Sequence, residues 1–77
     1  MDIKLVDVTV HIDETLSQTQ RQNVEHKLRE LDGVVSVAIH DSKPHLVVVE
    51  YNPDRTSSSA ILGAVKDTGA HAELVGL

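Results

Sequence analysis

The chain has 77 residues, a formal net charge of -5 at pH 7, no cysteine, and Tyr51 as its one residue of the Phe, Trp and Tyr group. This length suits one domain, residues 1–77, which is stabilised by packing alone because no disulfide can form. The acidic charge and the shortage of aromatic rings argue against a nucleic-acid partner, which requires a basic surface or stacking side chains. No long apolar run and no secretory signal are visible, so we expect a cytoplasmic protein without membrane insertion.

The first predicted element is a strand, because residues 6–12 alternate strictly between apolar and polar side chains. This alternation predicts that the even-numbered residues face a core and that the odd-numbered residues, His11 among them, face the other way. Ile3 and Leu5 would continue this second face toward the N-terminus.

A helix is predicted next, from about residue 17 to residue 31. Ser17 and Gln20 have the spacing of a capping box, in which each side chain accepts a hydrogen bond from the other residue's backbone N–H. Gly33 supplies a left-handed cap after the helix. The apolar stripe of this helix contains Val24, Leu28 and Leu31.

Two further strands are predicted at residues 34–40 and 46–51, with a hairpin loop between them. A second helix follows, capped by one of residues 56–58 and stopped by Gly69, and residues 70–75 form a short last strand. The order βαββαβ predicts an α+β, ferredoxin-like sandwich with one antiparallel sheet, strand order 4-1-3-2, and two helices on one face.

A set of spaced residues between the first helix and Gly69 forms a signature. It reads Val24-Glu25-x-x-Leu28, Leu31-Asp32-Gly33-Val34-x-x-Val37, Val47-x-Val49-x-Tyr51-Asn52-Pro53-Asp54 and Thr56-Ser57-x-x-x-Ile61-x-x-Ala64-Val65-x-x-x-Gly69. Spaced in this way, the residues resemble the heavy-metal-associated domain, the small soft-metal carrier of copper chaperones and metal-pumping ATPases. The resemblance covers roughly residues 5–75 and implies the same ferredoxin-like fold.

The resembled family carries its metal on a Cys-x-x-Cys motif just before the first helix. Counted back from the Val24-Glu25 pair, the two cysteine positions fall on Ser17 and Gln20. The resemblance therefore implies a scaffold that lacks the soft Cu(I) site and carries helix-capping residues in its place.

Histidines are the remaining candidate ligands, and the predicted topology brings four of the five to one edge of the sheet. His11 and His71 would lie on adjacent strands and point away from the helices, where facing Cβ atoms are about 5 Å apart. Asp13 or Glu14 in the following loop could add a carboxylate. The predicted metal ligands are thus His11, His71 and Asp13.

The other two edge histidines, His40 and His45, flank the hairpin. We expect them to form a separate pair roughly 10 to 15 Å from His71, given about 4.8 Å per strand. One site with four histidines is therefore not predicted.

If a metal binds, imidazole with carboxylate favours Zn(II), Ni(II), Co(II) or Cu(II) and disfavours Cu(I). Solvated histidines that hold no ion are the alternative. Neither a nucleophile elbow nor a glycine-rich oxyanion loop is present, so the chain is not predicted to be an enzyme.

The predicted sheet face opposite the helices is unusually apolar, because Ile3, Leu5, Ala38, Leu46 and Val48 all point to it. Contiguous apolar patches tend to mark interaction sites, which favours a homodimer or a protein partner on this face. Scattered exposed aliphatic side chains without a partner are the alternative.

Two functions follow from these features. In the first, the chain is associated with metal homeostasis or transport, and it binds a borderline divalent ion through histidine or holds metal only with a partner. In the second, it is a metal-free docking or regulatory module that uses the exposed sheet face.

Overall fold

A computed structural model describes residues 4–75 of the chain, so the prediction for Ile3 lies outside the described residues. The four strands form one antiparallel sheet in which the second strand of the chain is followed by the third, the first and the fourth, which confirms the predicted ferredoxin-like fold and strand order. The elements along the chain are β1 (Val6–Ile12), α1 (Gln18–Arg29), β2 (Val34–His40), β3 (Lys43–Tyr51), α2 (Ser58–Lys66) and β4 (Ala72–Val75).

The core lies between the sheet and the two helices and is almost entirely aliphatic. Among the described residues, no polar or charged residue is buried. Val6 begins β1 and is 38% exposed, so the predicted core face of this strand starts only at Val8. The buried residues are Val8, Val10, Ile12, Val24, Leu28, Val37, Val47, Val49, Tyr51, Ile61, Ala64 and Val65.

The start of α1 has the predicted capping box. The Gln20 N–H donates to the Ser17 hydroxyl at 3.2 Å, and the Ser17 N–H donates to Gln20 Oε1 at 2.8 Å. Each bond satisfies a backbone donor that the first helical turn leaves unpaired. The cap therefore stabilises the first turn of α1.

The end of α1 differs from the prediction by two residues, because the helix stops at Arg29. Gly33 follows with a φ of +100°, and a Cβ at this position would lie 2.8 Å from the Cβ of Arg55. Gly33 is therefore required both for its backbone conformation and for this close approach.

The hairpin between β2 and β3 is tighter than predicted. Only residues 41–42 form the turn, and β3 begins at Lys43, which pairs with His40. Pro44 lies beyond the last pair between β1 and β3, so its missing N–H removes no hydrogen bond from that ladder. The longer β3 brings His45 into the sheet.

Candidate metal centre on the open sheet face

Strand register decides which side chains meet on the sheet face opposite the helices, called the open face below. On β1, His11 pairs with Leu46 of β3 on one side and with Glu73 of β4 on the other. The residue that faces His11 is therefore Glu73 and not His71. Asp13 follows β1 directly and lies beside the same histidine.

Three side chains on this face form a compact group with the composition of a metal site. His11, Asp13 and Glu73 each offer one ligand atom, and these atoms lie within 4.8 Å of one another. His11 Nδ1 is 3.3 Å from Asp13 Oδ1 and 3.8 Å from Glu73 Oε1. One imidazole nitrogen and two carboxylates can therefore approach a single cation.

The His11 nitrogen has an unusual environment. Nδ1 is shielded from solvent and has no hydrogen-bond partner among the described residues, although the side chain as a whole is 38% exposed. Asp13 Oδ1, at 3.3 Å, is not aligned for a hydrogen bond with it, and Glu73 Oε1, at 3.8 Å, is too far away to form one. Their side chains are 60% and 71% exposed. An ion here would have protein ligands on one side and water on the other.

The third predicted ligand, His71, points its ring to a different partner. Its backbone carbonyl accepts a hydrogen bond from the Asp13 N–H at 2.9 Å, so it lies opposite Asp13. Its own N–H donates to Glu14 Oε1 at 2.8 Å, and its Nδ1 contacts the other oxygen of that carboxylate. The structure therefore brings His11 and Asp13 together but leaves the His71 side chain outside their group.

The contact between Glu14 and His71 changes the acidity of both groups. The hydrogen bond to Glu14 and its negative charge raise the pKa of His71 above its usual value. The hydrogen bonds from the His71 side chain and backbone lower the pKa of Glu14. The two charged forms stabilise each other, so Glu14 is engaged with His71 and not with His11.

The prediction that His40 and His45 form a separate pair is wrong in one respect, because His45 lies against His11. The two rings stack with centroids 5.9 Å apart and an angle of 20° between their planes. His45 Nδ1 lies 2.8 Å from the Ile12 carbonyl oxygen, so it is the protonated nitrogen that donates this bond. His40, in contrast, pairs with Lys43 at the hairpin.

Sequence reasoning missed Glu73 as a candidate ligand. Alternation along β4 already places Glu73 on the same face as His71, two residues away. Strand register determines whether Glu73 or His71 lies opposite His11, and the alternation pattern does not contain that information.

The open face also carries the predicted apolar side chains. Leu5 is 40% exposed, and Ala38, Leu46 and Val48 are partly exposed at positions that alternate with core residues. Within residues 4–75, neither helix is long and apolar enough to cross a membrane.

Several solved structures have a similar fold. The N-terminal domain of a potential copper-translocating P-type ATPase from Bacillus subtilis, in the Cu(I)-loaded state, matches with a TM-score of 0.85 and 25% identity over 95% of this chain and 90% of that chain. Oxidized MerP from Ralstonia metallidurans CH34 matches with a TM-score of 0.84 and 18% identity over 95% and 100% of the two chains. A copper-binding domain from HMA7, a P-type ATPase, matches with a TM-score of 0.83 and 18% identity over 91% and 93%.

No protein-family model and no curated protein matches the sequence. The solved structures nevertheless confirm the resemblance to heavy-metal-associated domains at the level of the fold, since the match extends over almost the whole chain.

Proposed function

We propose that this chain is a metal-handling protein, and not an enzyme, that binds a borderline divalent cation through His11, Asp13 and Glu73. The observation that carries the proposal is the grouping of their three ligand atoms within 4.8 Å on the open face. The likeness to copper-binding domains of transport ATPases supports the same general role. The cytoplasm, as predicted from the sequence, is the proposed compartment.

Cu(I) does not fit the residues of this chain. A soft ion prefers sulfur ligands, and the chain has no cysteine. At the two positions where the resembled family has its thiolates, Ser17 and Gln20 are already bonded to each other's backbone N–H groups. The proposed ion is therefore Zn(II), Ni(II), Co(II) or Cu(II), which accept imidazole and carboxylate ligands.

The electrostatics of the group favour a cation of this kind. A divalent ion would lie against two carboxylates and the lone pair of His11 Nδ1, which otherwise has no hydrogen-bond partner among residues 4–75. Imidazole is a common ligand of Zn(II), Cu(II) and Ni(II), and Zn(II) also accepts carboxylate oxygen. The exposure of Asp13 and Glu73 leaves room for water ligands, so we propose weak and reversible binding.

The proposal is tested by titrating the chain with Zn(II) and with Ni(II) while the histidine imidazole signals are followed by NMR. We expect the His11 signals to change first, at micromolar metal. His11→Ala should abolish the response, and Glu73→Gln should weaken it. His26→Ala is the matched control, because His26 lies on α1 and contacts Glu30.

Two results would contradict the proposed ligand set. The absence of any change specific to His11 up to millimolar metal would exclude the site. A response that survives Glu73→Gln but is lost in His71→Ala would instead support the set predicted from the sequence, His11, His71 and Asp13.

A second function, protein docking through the open face, is favoured by a separate observation. Register aligns one small or apolar side chain from each of the four strands, namely Ala38, Val48, Thr9 and Val75. A row with three apolar members and one threonine on an uncovered sheet face favours a surface that a partner covers.

A further inference from the structure

We propose that the open face docks a protein partner whose surface carries lysine or arginine around an apolar centre. This inference rests on the docking function proposed above and adds the chemistry of the partner. It is carried by the arrangement of apolar and charged side chains on the open face and by the absence of Lys and Arg from the paired strand positions of this face within residues 4–75.

The centre of the face is a row of side chains that crosses the whole sheet, apolar except for Thr9. Thr9 pairs with Val48 on one side and with Val75 on the other, and Val48 pairs with Ala38. Directly paired side chains have Cβ atoms about 4.5 to 5.5 Å apart, so the row forms one patch. Val75 remains 41% exposed at the edge of the sheet.

Acidic side chains flank this row on both sides. Asp7 and Glu50 pair directly across β1 and β3, in the row next to Thr9 and Val48. Glu73 lies on the other side, next to His11. Neither Asp7 nor Glu50 forms an ion pair within the part of the chain that the structure describes.

The pair of Asp7 and Glu50 is unfavourable in the isolated chain, because like charges directly opposite each other destabilise a sheet. No Lys or Arg counters them on this face within residues 4–75. The basic residues are in the helices, at the hairpin, in the loop after β3 and before β1. They are Arg21, Lys27, Arg29, Lys66, Lys43, Arg55 and Lys4.

This separation of acidic from basic side chains distinguishes between the molecules that could bind the open face. A second copy bound through the same face would bring two acidic faces together. Nucleic acid and anionic lipid would be repelled for the same reason. A protein surface with basic residues around an apolar centre would cover the row and pair with the carboxylates, which is the complementarity that steers specific association.

The test uses two synthetic peptides with the same alternating apolar residues, one with lysine and one with glutamate at the remaining positions. Each is titrated into isotope-labelled chain at low salt, with a chelator present so that the metal proposal has no influence. We expect the lysine peptide to shift the backbone amide signals of Thr9, Val48 and Glu50 and to leave those of α1 unchanged. Binding should weaken as salt is raised.

Variants separate the charged and apolar contributions. Asp7→Asn combined with Glu50→Gln should weaken the lysine peptide about fivefold, as expected for two exposed ion pairs. Val48→Thr, which has nearly the same shape, should weaken it by removing apolar contact. Asp54→Asn is the matched control, since this exposed loop carboxylate lies off the sheet, and it should leave binding unchanged.

Each contrary outcome has a distinct meaning. Equal binding of both peptides to the open face would keep the docking function and overturn the inferred basic partner. A dimer in sedimentation analysis that Val48→Asp disrupts would overturn the basic partner in favour of a second copy. A monomer that binds neither peptide would overturn both the docking function and this inference.

Discussion

The same strands present two very different faces to their surroundings. On the covered face, β1 and β3 contribute only aliphatic residues and Tyr51, and the helices exclude water from them. On the open face, the alternate positions carry an apolar row, carboxylates and His11. Stability and candidate chemistry are thus carried by opposite sides of one sheet, because side chains alternate along a strand.

The largest expected contrast between the two faces is in packing. Leu28 is fully buried between α1 and the sheet, so Leu28→Ala should lower the free energy of unfolding by about 2 to 5 kcal/mol. Leu46→Ala on the open face should lower it by less than about 1 kcal/mol. Urea unfolding followed by circular dichroism measures both, and equal losses would show that the two faces are packed alike.

A second prediction concerns the capping box at the start of α1. Ser17→Ala removes the hydroxyl that accepts the Gln20 N–H and should lower the free energy of unfolding by about 1 kcal/mol. Ser59→Ala, within α2, is the control and should change it by less than about 0.5 kcal/mol. Thermal unfolding measures the difference. The response of His11 to metal should be unchanged in Ser17→Ala, and its loss would show that the two regions are coupled.

A smaller effect of opposite sign is expected from the acidic pair on the open face. Glu50→Gln removes one of two facing like charges and should raise the free energy of unfolding by roughly 0.2 to 1 kcal/mol, more at low salt. Glu25→Gln on α1 is the control. It removes a contact of 3.9 Å with Arg29 and should lower the free energy by a few tenths of a kcal/mol. Destabilisation by Glu50→Gln would mean that Glu50 has a favourable partner.

The last prediction concerns pH dependence at the edge of the sheet. The raised pKa of His71 stabilises the fold below the ordinary imidazole pKa of 6.5, and this contribution is lost as pH rises through the raised value. The lowered pKa of Glu14 stabilises the fold above the ordinary carboxyl pKa of 4.5, and this contribution is lost as pH falls through the lowered value. The pair therefore stabilises the fold fully between these ordinary values.

NMR titration of the His71 imidazole measures this effect directly. In Glu14→Gln, the pKa of His71 should fall back toward its ordinary value, because the negative charge and the strong acceptor are removed. An unchanged pKa in this variant would show that another group is responsible.

Much of the fold could be predicted because its signals are local. Strict alternation in residues 6–12 identified β1 with its observed bounds, and the spacing of Ser17 and Gln20 identified the cap of α1. The structure confirms the predicted left-handed conformation of Gly33 but not its role as helix cap, because the C-cap of α1 is Glu30 and Gly33 lies in the turn that follows. These features depend on neighbours within a few residues, so the sequence alone contains the information.

The candidate site could be predicted only in part, because it is built from residues distant in sequence. Alternation placed His11 on the open face, but only the pairing of β1 with β4 put Glu73 opposite it and turned His71 toward Glu14. Likewise, only the tertiary structure shows that His45 stacks on His11. The face on which a side chain lies follows from local alternation, whereas its partners follow from strand register, which is determined by turn geometry and packing of the whole domain.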